Sequence, residues 1–467
     1  MAKKRKISVT TKSRGLKITH PDTAGIDVGK TLMQVSVPED RCSESNRCFG
    51  TFTKDLREIV SWLVECRIKR VVMESTGIYW IPLFLMLQEA GMEAILVNAK
   101  DVKNMSGRKT DVNDADWLRF LGSCNLIKPC FQIAAVARRL REFHRLRAAK
   151  VKDMSRELQH MQKAMEKMNI KLDSAISDIA GKSGMAIIRA ILSGERDPEV
   201  LASMADDRCR SSKATIASSL EGTWDMEHML SLRMSLETYD HLSSQVRVID
   251  SEMELFLDSC QFSEAVDVTA GDLTPDKRAG KNKRYKNPIN FDVELQSFLM
   301  YGVNLLRIPG IGDGTLMTLM AELGPDFTAK FSTSAKFCRW CNVTPNDNIT
   351  GGREISSKIP KRPNPVGQAL RQTAITLRNS KTPLGQYFRR MSSRLGPAQA
   401  VVATAHKIAE IIYLMVDRQV EYDANKMAAS ESDIVQKRIR SLEYRLEKLK
   451  SSQNTNSKNP MSCKFVI

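Results

Sequence analysis

The sequence predicts a mixed α/β domain near the N-terminus, two long helical seams in the middle, and a mainly helical domain after them. Three observations carry this expectation. Between Thr23 and Leu121, short apolar runs alternate with helical spacings. Between Val151 and Phe256, apolar residues recur at intervals of three and four. Helical spacing resumes over Leu295 to Val420, after a polar stretch rich in Lys and Gly. A chain of 467 residues is long enough for two or three domains with cores of their own.

The first region reads element by element. Ala24–Asp27 and Leu32–Val37 are expected as two strands of a hairpin, and Cys48–Phe52 as a third strand. Leu56–Cys66 has helical apolar spacing, Arg70–Glu74 is a buried-type strand, Ile78–Glu89 is helical, and Ala94–Val97 is another short strand. Three strands followed by helix, strand, helix and strand predict a mixed sheet with helices packed on it.

Four acids are placed against these elements in a particular way. Asp27, in Ala-Gly-Ile-Asp-Val-Gly-Lys, and Glu74, in Val-Val-Met-Glu-Ser-Thr-Gly, each close a strand. Asp111 and Asp114, in Lys-Thr-Asp-Val-Asn-Asp-Ala-Asp, open a helix. Strand ends that bring carboxylates to one point suit an RNase H-like layout. Clustered carboxylates repel one another and need cations, and Mg²⁺ takes oxygen ligands while also binding phosphate. Asp27, Glu74, Asp111 and Asp114 are therefore the expected metal ligands, with Mg²⁺ as cofactor. Two such ions could activate a nucleophile and stabilise a leaving oxygen. Asp111 and Asp114, three apart, share a helix face if the helix includes both. The alternative for Asp114 is a helix cap. Asp116 falls on a different face and is not expected to be a ligand.

The charge balance points to a polyanion. Lys and Arg number 71 against 54 Asp and Glu, a net charge of +17, which favours nucleic acid as partner. Basic residues cluster at Lys3–Lys6 with Lys12, Arg14 and Lys17, and again over Lys277–Lys286. Flexible segments of this kind bind phosphate backbones without reading bases. No apolar core follows the N-terminal charges, so a signal peptide is not expected. The apolar stretch Tyr79–Val97 is broken by Gln88, Glu89 and Glu93 and cannot span a bilayer. The 10 cysteines show no framework spacing, and Cys338 and Cys341 lack a second pair, so reduced thiols in a cytoplasmic protein are expected.

The middle seams run Val151, Met154, Leu158, Met161, Met165, Met168, Leu172, and Leu232, Leu236, Tyr239, Leu242, Val246, Ile249, Met253, Phe256. They read as coiled-coil packing surface, paired either within one chain or between chains. Gly181–Leu220 is expected as a smaller helical connection with turns at Gly194 and Pro198. Cys260–Asn290 reads as a basic linker. The next unit opens with Leu-Leu-Arg-Ile-Pro-Gly-Ile-Gly over Leu305–Gly312, the pattern of a helix-hairpin-helix element. Glycines allow the tight hairpin, and backbone N–H groups at the following helix can meet a phosphate, so Gly310 and Gly312 are candidate nucleic-acid contacts. The alternative is an ordinary turn between packed helices. A last heptad, Val435, Ile439, Leu442, Leu446 and Leu449, suits self-association, and Ser451–Ile467 has a disordered composition. The expected domains are 20–130, 135–262, a linker 263–294, 295–420, and a terminal helix and tail 430–467.

The same residues carry a resemblance. Gly25-Ile26-Asp27, Glu74-Ser75-Thr76-Gly77 and Lys109–Ala115 resemble the DEDD motifs of insertion sequence 110 family transposases. Pro309–Gly312, Gly351-Gly352, Lys361–Asn364 and Asn379–Thr382 resemble segments of that family's C-terminal transposase domain. The resemblance implies a RuvC-like domain, an inserted coiled coil and the transposase domain, acting as a dimer or tetramer on double-stranded DNA in the bacterial cytoplasm. It also implies a non-coding bridge RNA that selects target and donor DNA. In the family a serine of the transposase domain attacks the DNA backbone while the DEDD carboxylates bind metal. Here the matching residue is Thr350, whose hydroxyl can be a nucleophile when activated but whose methyl crowds in-line attack. Ser356 and Ser357 are the neighbouring alternatives, and Thr350 as a turn cap before Gly351 is another. Arg353, Lys358, Lys361 and Arg362 could neutralise a scissile phosphate or serve as general DNA contacts.

The sequence is thus read as a DNA transposase or recombinase. Two other readings remain open: a RuvC-like nuclease that uses metal-activated water, and a non-catalytic scaffold that binds RNA and DNA.

Overall fold

In the computed structural model the described residues are 16–74, 77–98, 102, 114–127, 129–130, 134–260, 262, 273, 287–351, 353–359, 364–424, 439, 442–443 and 446–447. The chain divides into two compact units, 1–132 and 133–467. Several expectations lie outside the described residues: Asp111, Lys361, Arg362, most of the basic N-terminal segment, nearly all of the linker with Lys277–Lys286, and the tail from Ser451.

The first unit is built on a five-stranded sheet in the order β3-β2-β1-β4-β5. The strands are β1 (Thr23–Val28), β2 (Met33–Ser36), β3 (Asn46–Phe49), β4 (Arg70–Glu74) and β5 (Glu93–Val97). β1, β2 and β3 form an antiparallel meander, while β4 pairs parallel to β1 and β5 parallel to β4. This is a mixed sheet, compatible with the RNase H-like expectation.

Alternation along the strands sorts the two faces. Ala24, Ile26, Val28, Val71 and Met73 point into one core, which α1 (Thr53–Glu65) covers with Leu56, Ile59, Trp62 and Leu63, and α2 (Ile81–Glu89) with Leu83, Phe84 and Leu87. Val72, Ile95 and Val97 enter a second core on the opposite face, filled by Trp117, Leu118, Phe120 and Leu121 of α3 (Asp114–Ser123). β3 ends at Phe49, short of the expected Phe52. Phe52 is instead the N-cap of α1, and its backbone N–H donates to the Asp55 carboxylate at 3.0 Å. An N–H used to start a helix cannot also serve a strand ladder.

The second unit begins with two 33-residue helices, α4 (Ala135–Lys167) and α6 (Met226–Asp258). Met154 packs with Leu242 and Val246, while Met161 and Met165 share a core with Leu232 and Leu236. Residue numbers rise on one helix as they fall on the other, so the pair is antiparallel and lies within one chain. Between them α5 (Lys182–Ser193) ends at Gly194 with φ +108°, and Asp197 caps a short helix starting at Pro198.

The rest of this unit is mainly helical: α7 (Val293–Tyr301), α8 (Asp313–Leu323), α9 (Ser334–Trp340), α10 (Pro365–Thr376), α11 (Pro383–Leu395) and α12 (Pro397–Arg418). One two-stranded hairpin, β6 (Asn346–Thr350) with β7 (Arg353–Lys358), projects from it. Its core holds Phe327, Phe337 and Tyr413 within about ring-contact distance of each other. Among the described helices, α12 alone is long and apolar enough to cross a membrane. Its Ala400, Thr404, Ala405, Ile408, Ala409 and Ile412 are buried against the domain, so it is read as a core helix.

Candidate active site

The acids of the first unit are brought to one end of the sheet by backbone geometry. β1 and β4 are paired in parallel as far as Ile26–Met73. Asp27 and Glu74 follow on the next rung, side by side and on the face that carries α3. Both are half-buried.

Helix α3 lies directly on that face because two residues lack side chains. A Cβ on Gly25 would stand 2.1 Å from the Ala115 carbonyl oxygen and 2.4 Å from the Arg119 nitrogen. A Cβ on Gly122 would stand 2.6 Å from a Val72 methyl and 2.9 Å from the Thr23 methyl. The end of α3 therefore lies over the start of β1, and the start of α3 over its later part. The helix runs opposite to the strand and carries Asp114, its first residue, toward the end where Asp27 sits. Asp114 is also half-buried.

Asp116 is buried and engaged elsewhere. Its carboxylate accepts from the Ser36 hydroxyl and, at 3.4 Å, from the Asn46 amide, and it pairs with Arg119 at 3.5 Å. Arg119 Nε in turn donates to the same Ser36 hydroxyl at 2.9 Å. This network pins α3 to β2 and β3. The sequence showed Asp116 only as a residue on another face; its strand partners are 80 and 70 residues away and left no local signal.

The donor set suits a hard divalent cation, since Asp27, Glu74 and Asp114 supply carboxylate oxygens only. Among the described residues, no three His, Cys, Asp or Glu side chains stand together as a ready metal cluster. Asp111 belongs to the segment outside the described residues.

Thr350 is exposed at the tip of the β6–β7 hairpin, where it pairs with Arg353 across the turn that starts at Gly351. Gly351 has φ +58°, a conformation that glycine adopts without the Cβ penalty. Arg353 is exposed beside it. Ser356 and Ser357 pair with Asn348 and Asp347 further down the hairpin. Three residues of strand separate Ser356 from Arg353, about 10 Å, so the two serines and Thr350 present hydroxyls at separate places.

Gly310 and Gly312 lie in the turn before α8. Gly310 has φ +89°, and a Cβ there would crowd Thr376 and Leu377 at 3.0–3.1 Å. Gly312 is the N-cap, with open space where a Cβ would be. The turn borders a cleft of about 750 Å³ whose other walls include His144, Arg147 and Thr373. Arg147 is not available to a ligand there, because it holds buried Asp250 through two nitrogens and donates to the carbonyls of Asn287 and Pro288. His144 is held neutral: burial, then Arg147 and Arg145, lower its pKa to about 4. Cys338 and Cys341 are buried free thiols. Burial pushes Cys338 up to about 12 and Cys341 well above the usual range, which keeps both protonated.

Acids at one end of a mixed sheet, followed along the chain by a mainly helical unit, fit the layout expected of a DEDD-type nucleic-acid enzyme. Comparison with known families agrees. A transposase family model of the DEDD, IS110 type matches residues 24–170, and a second, described as Transposase IS116/IS110/IS902 family, matches residues 303–389. Together they span half of the chain. No curated protein matches it significantly. The chain belongs to the insertion sequence 110 family of transposases.

Proposed function

We propose that this transposase breaks and rejoins DNA through a side-chain hydroxyl assisted by bound divalent metal. The observation that supports the reading is that Asp27, Glu74 and Asp114 lie toward the same end of the first unit's sheet. With Asp111 they would hold Mg²⁺, which when bound supplies positive charge against phosphate oxygens. Thr350 is the proposed nucleophile. Its oxygen bonds to phosphorus, its proton leaves to solvent, and a deoxyribose oxygen departs and takes a proton. The strand is then held as a phosphothreonine ester until a DNA hydroxyl displaces it. Arg353, paired with Thr350 at the hairpin tip, would stabilise charge on the phosphate, together with Lys361 and Arg362. Gly310 and Gly312 would offer backbone N–H groups to a DNA phosphate.

A bridge RNA supplied by the element is the proposed source of target choice, and a dimer or tetramer the working assembly. The test is recombination between the element's ends and a target plasmid, with and without the flanking RNA, in the wild type and in Asp27→Ala and Glu74→Ala. RNA-dependent recombination that both substitutions abolish is expected. Recombination without RNA would remove the guide from the reading, and activity in the acid variants would remove the metal site.

A water-activated nuclease is the second reading. It is favoured by one feature, the threonine methyl at position 350, which crowds attack by that hydroxyl.

A further inference from the structure

From Ile355 to Ala409 the chain contains no Asp or Glu over 55 residues, while 10 are Lys or Arg. At the average density of acids in this protein, about six would fall in such a stretch. The fold leaves part of that charge on the solvent side of α11 and of the loop before it. Arg378 and Lys381 lie in the loop before α11, and Arg389 and Arg394 lie on α11, all four exposed. No ion pair joins any of the four to a carboxylate among the described residues. Arg371 and Lys407, by contrast, are used internally: Arg371 donates to the Asn342 carbonyl, and Lys407 pairs with Glu410.

One of these cations also ties the loop to the helix. Arg389 Nη1 donates to the Ser380 carbonyl at 2.6 Å and the Arg378 carbonyl at 3.3 Å, tying the loop to the helix. Gly385 lets the loop close on the first turn of α11, since a Cβ there would stand 2.2 Å from the Ser380 carbonyl oxygen. Thr382 caps the helix by accepting from the Gly385 N–H. Arg378, Lys381 and Arg389 thus share one tethered junction of loop and helix without a counter-charge, and an external anion there would relieve their repulsion.

We propose that the loop 378–382 and the outer face of α11 form a docking surface for the phosphate backbone of duplex DNA. The proposal rests on the transposase reading for the identity of the polyanion, and not on the metal site or on Thr350. From the loop to Arg394 the helix rises about 20 Å, a length that matches about six base pairs of duplex. Surfaces that take single strands add exposed aromatic rings on which bases stack. Here Tyr387 is half-buried with Arg390 over its ring at 5.4 Å, and Phe388 is buried. The face offers charge without a stacking platform, which suits a backbone.

The test uses the full chain and a 30-base-pair duplex of arbitrary sequence, with affinity read by fluorescence anisotropy across a potassium chloride series. Removing one cation that neutralises a phosphate flattens the log–log salt slope by roughly 0.9. Arg378→Gln/Lys381→Gln/Arg394→Gln should flatten the slope by about 2–3 and weaken binding roughly tenfold or more near 100 mM salt. Arg394→Gln alone, at an exposed site, should flatten it by about 1 and serves if the triple variant misfolds. A control that removes equal charge from the helical region between α4 and α6, Lys182→Gln/Arg208→Gln/Lys213→Gln, should leave the slope unchanged. Equal weakening in the two triple variants, an unchanged slope in both Arg394→Gln and the Arg378/Lys381/Arg394 variant, or weakening confined to an RNA duplex of the same length would overturn the proposal. DNA strand cleavage is scored in parallel. Cleavage that persists beside an unchanged slope fails this surface alone; a flattened slope in a chain that never cleaves fails the catalytic reading alone.

Discussion

Gly25 carries only hydrogen at the point where the main chain of Ala115 crosses it, and a Cβ there would lie 2.1 Å from the Ala115 carbonyl oxygen. The blocking atoms are backbone, so no rotamer change relieves the clash. Gly25→Ala should lift α3 off the sheet and move Asp114 away from Asp27. The expected cost is about 1–3 kcal/mol of stability or more, with loss of strand cleavage even at temperatures where the variant is folded. Thermal unfolding followed by a cleavage assay on folded protein checks both halves. Full cleavage by Gly25→Ala would mean that Asp114 is not needed at that end of the sheet.

Asp114 and Asp116 lie two residues apart and should behave oppositely. Asp116→Asn weakens a buried network with Ser36, Asn46 and Arg119. It should lower stability by about 1–3 kcal/mol while the folded fraction keeps its activity. Asp114→Asn should leave the melting temperature nearly unchanged and reduce cleavage at least a hundredfold. Denaturant unfolding and single-turnover cleavage on the same preparations separate the two effects.

How far the sequence revealed this end of the sheet differs from residue to residue. The strands holding Asp27 and Glu74 were legible because short apolar runs are local signals and the acids close them. A helix opened by Asp111 and Asp114 was legible from the acids that precede its apolar residues, and among the described residues α3 begins at Asp114. What packs α3 in place was not: Gly25 and Gly122 matter through atoms about 90 and 50 residues away in sequence, and a lone glycine in a strand gives no hint of its opposing surface. The long helices were legible as seams, but heptad spacing alone left open whether they pair within the chain or between chains. Met154 against Leu242 and Val246 shows pairing within it. The acid-free stretch that ends on α11 was in plain view, yet only the exposure of Arg378, Lys381 and Arg394 gives it a face.

Glu322 on α8 is buried and meets two guanidinium groups from α4, Arg141 at 2.9 Å and Arg145 at 3.1 Å. Removing the shared acid leaves Arg141 largely buried without its counter-charge. Glu322→Gln should cost about 3–5 kcal/mol, whereas Arg145→Ala, at the exposed end of the pair, should cost under about 1 kcal/mol. Chemical denaturation of the two variants checks the ordering, and equal effects would contradict it.

His144 gives the second unit a pH dependence of defined sign. Its folded pKa of about 4 lies below its ordinary value of 6.5. The unfolded chain therefore takes up the proton first as pH falls, so stability is lost between about pH 6.5 and 4 and is insensitive to this group above that window. The expected loss is on the order of 3 kcal/mol at the low end. His144→Gln should flatten that part of the curve in melts recorded from pH 4 to 8. An unchanged acid limb would assign the loss to other groups.

The central claim is that a hydroxyl at the hairpin tip makes the covalent bond to DNA, and identifying the bonded residue tests it most directly. Wild-type protein is incubated with element-end DNA and Mg²⁺, digested, and the peptide carrying the nucleotide is sequenced by mass spectrometry, alongside Thr350→Val and Ser356→Ala. The expected result is an adduct on Thr350 that Thr350→Val abolishes and Ser356→Ala preserves. An adduct that survives Thr350→Val, or cleavage by the wild type with no adduct at any stage, would contradict it.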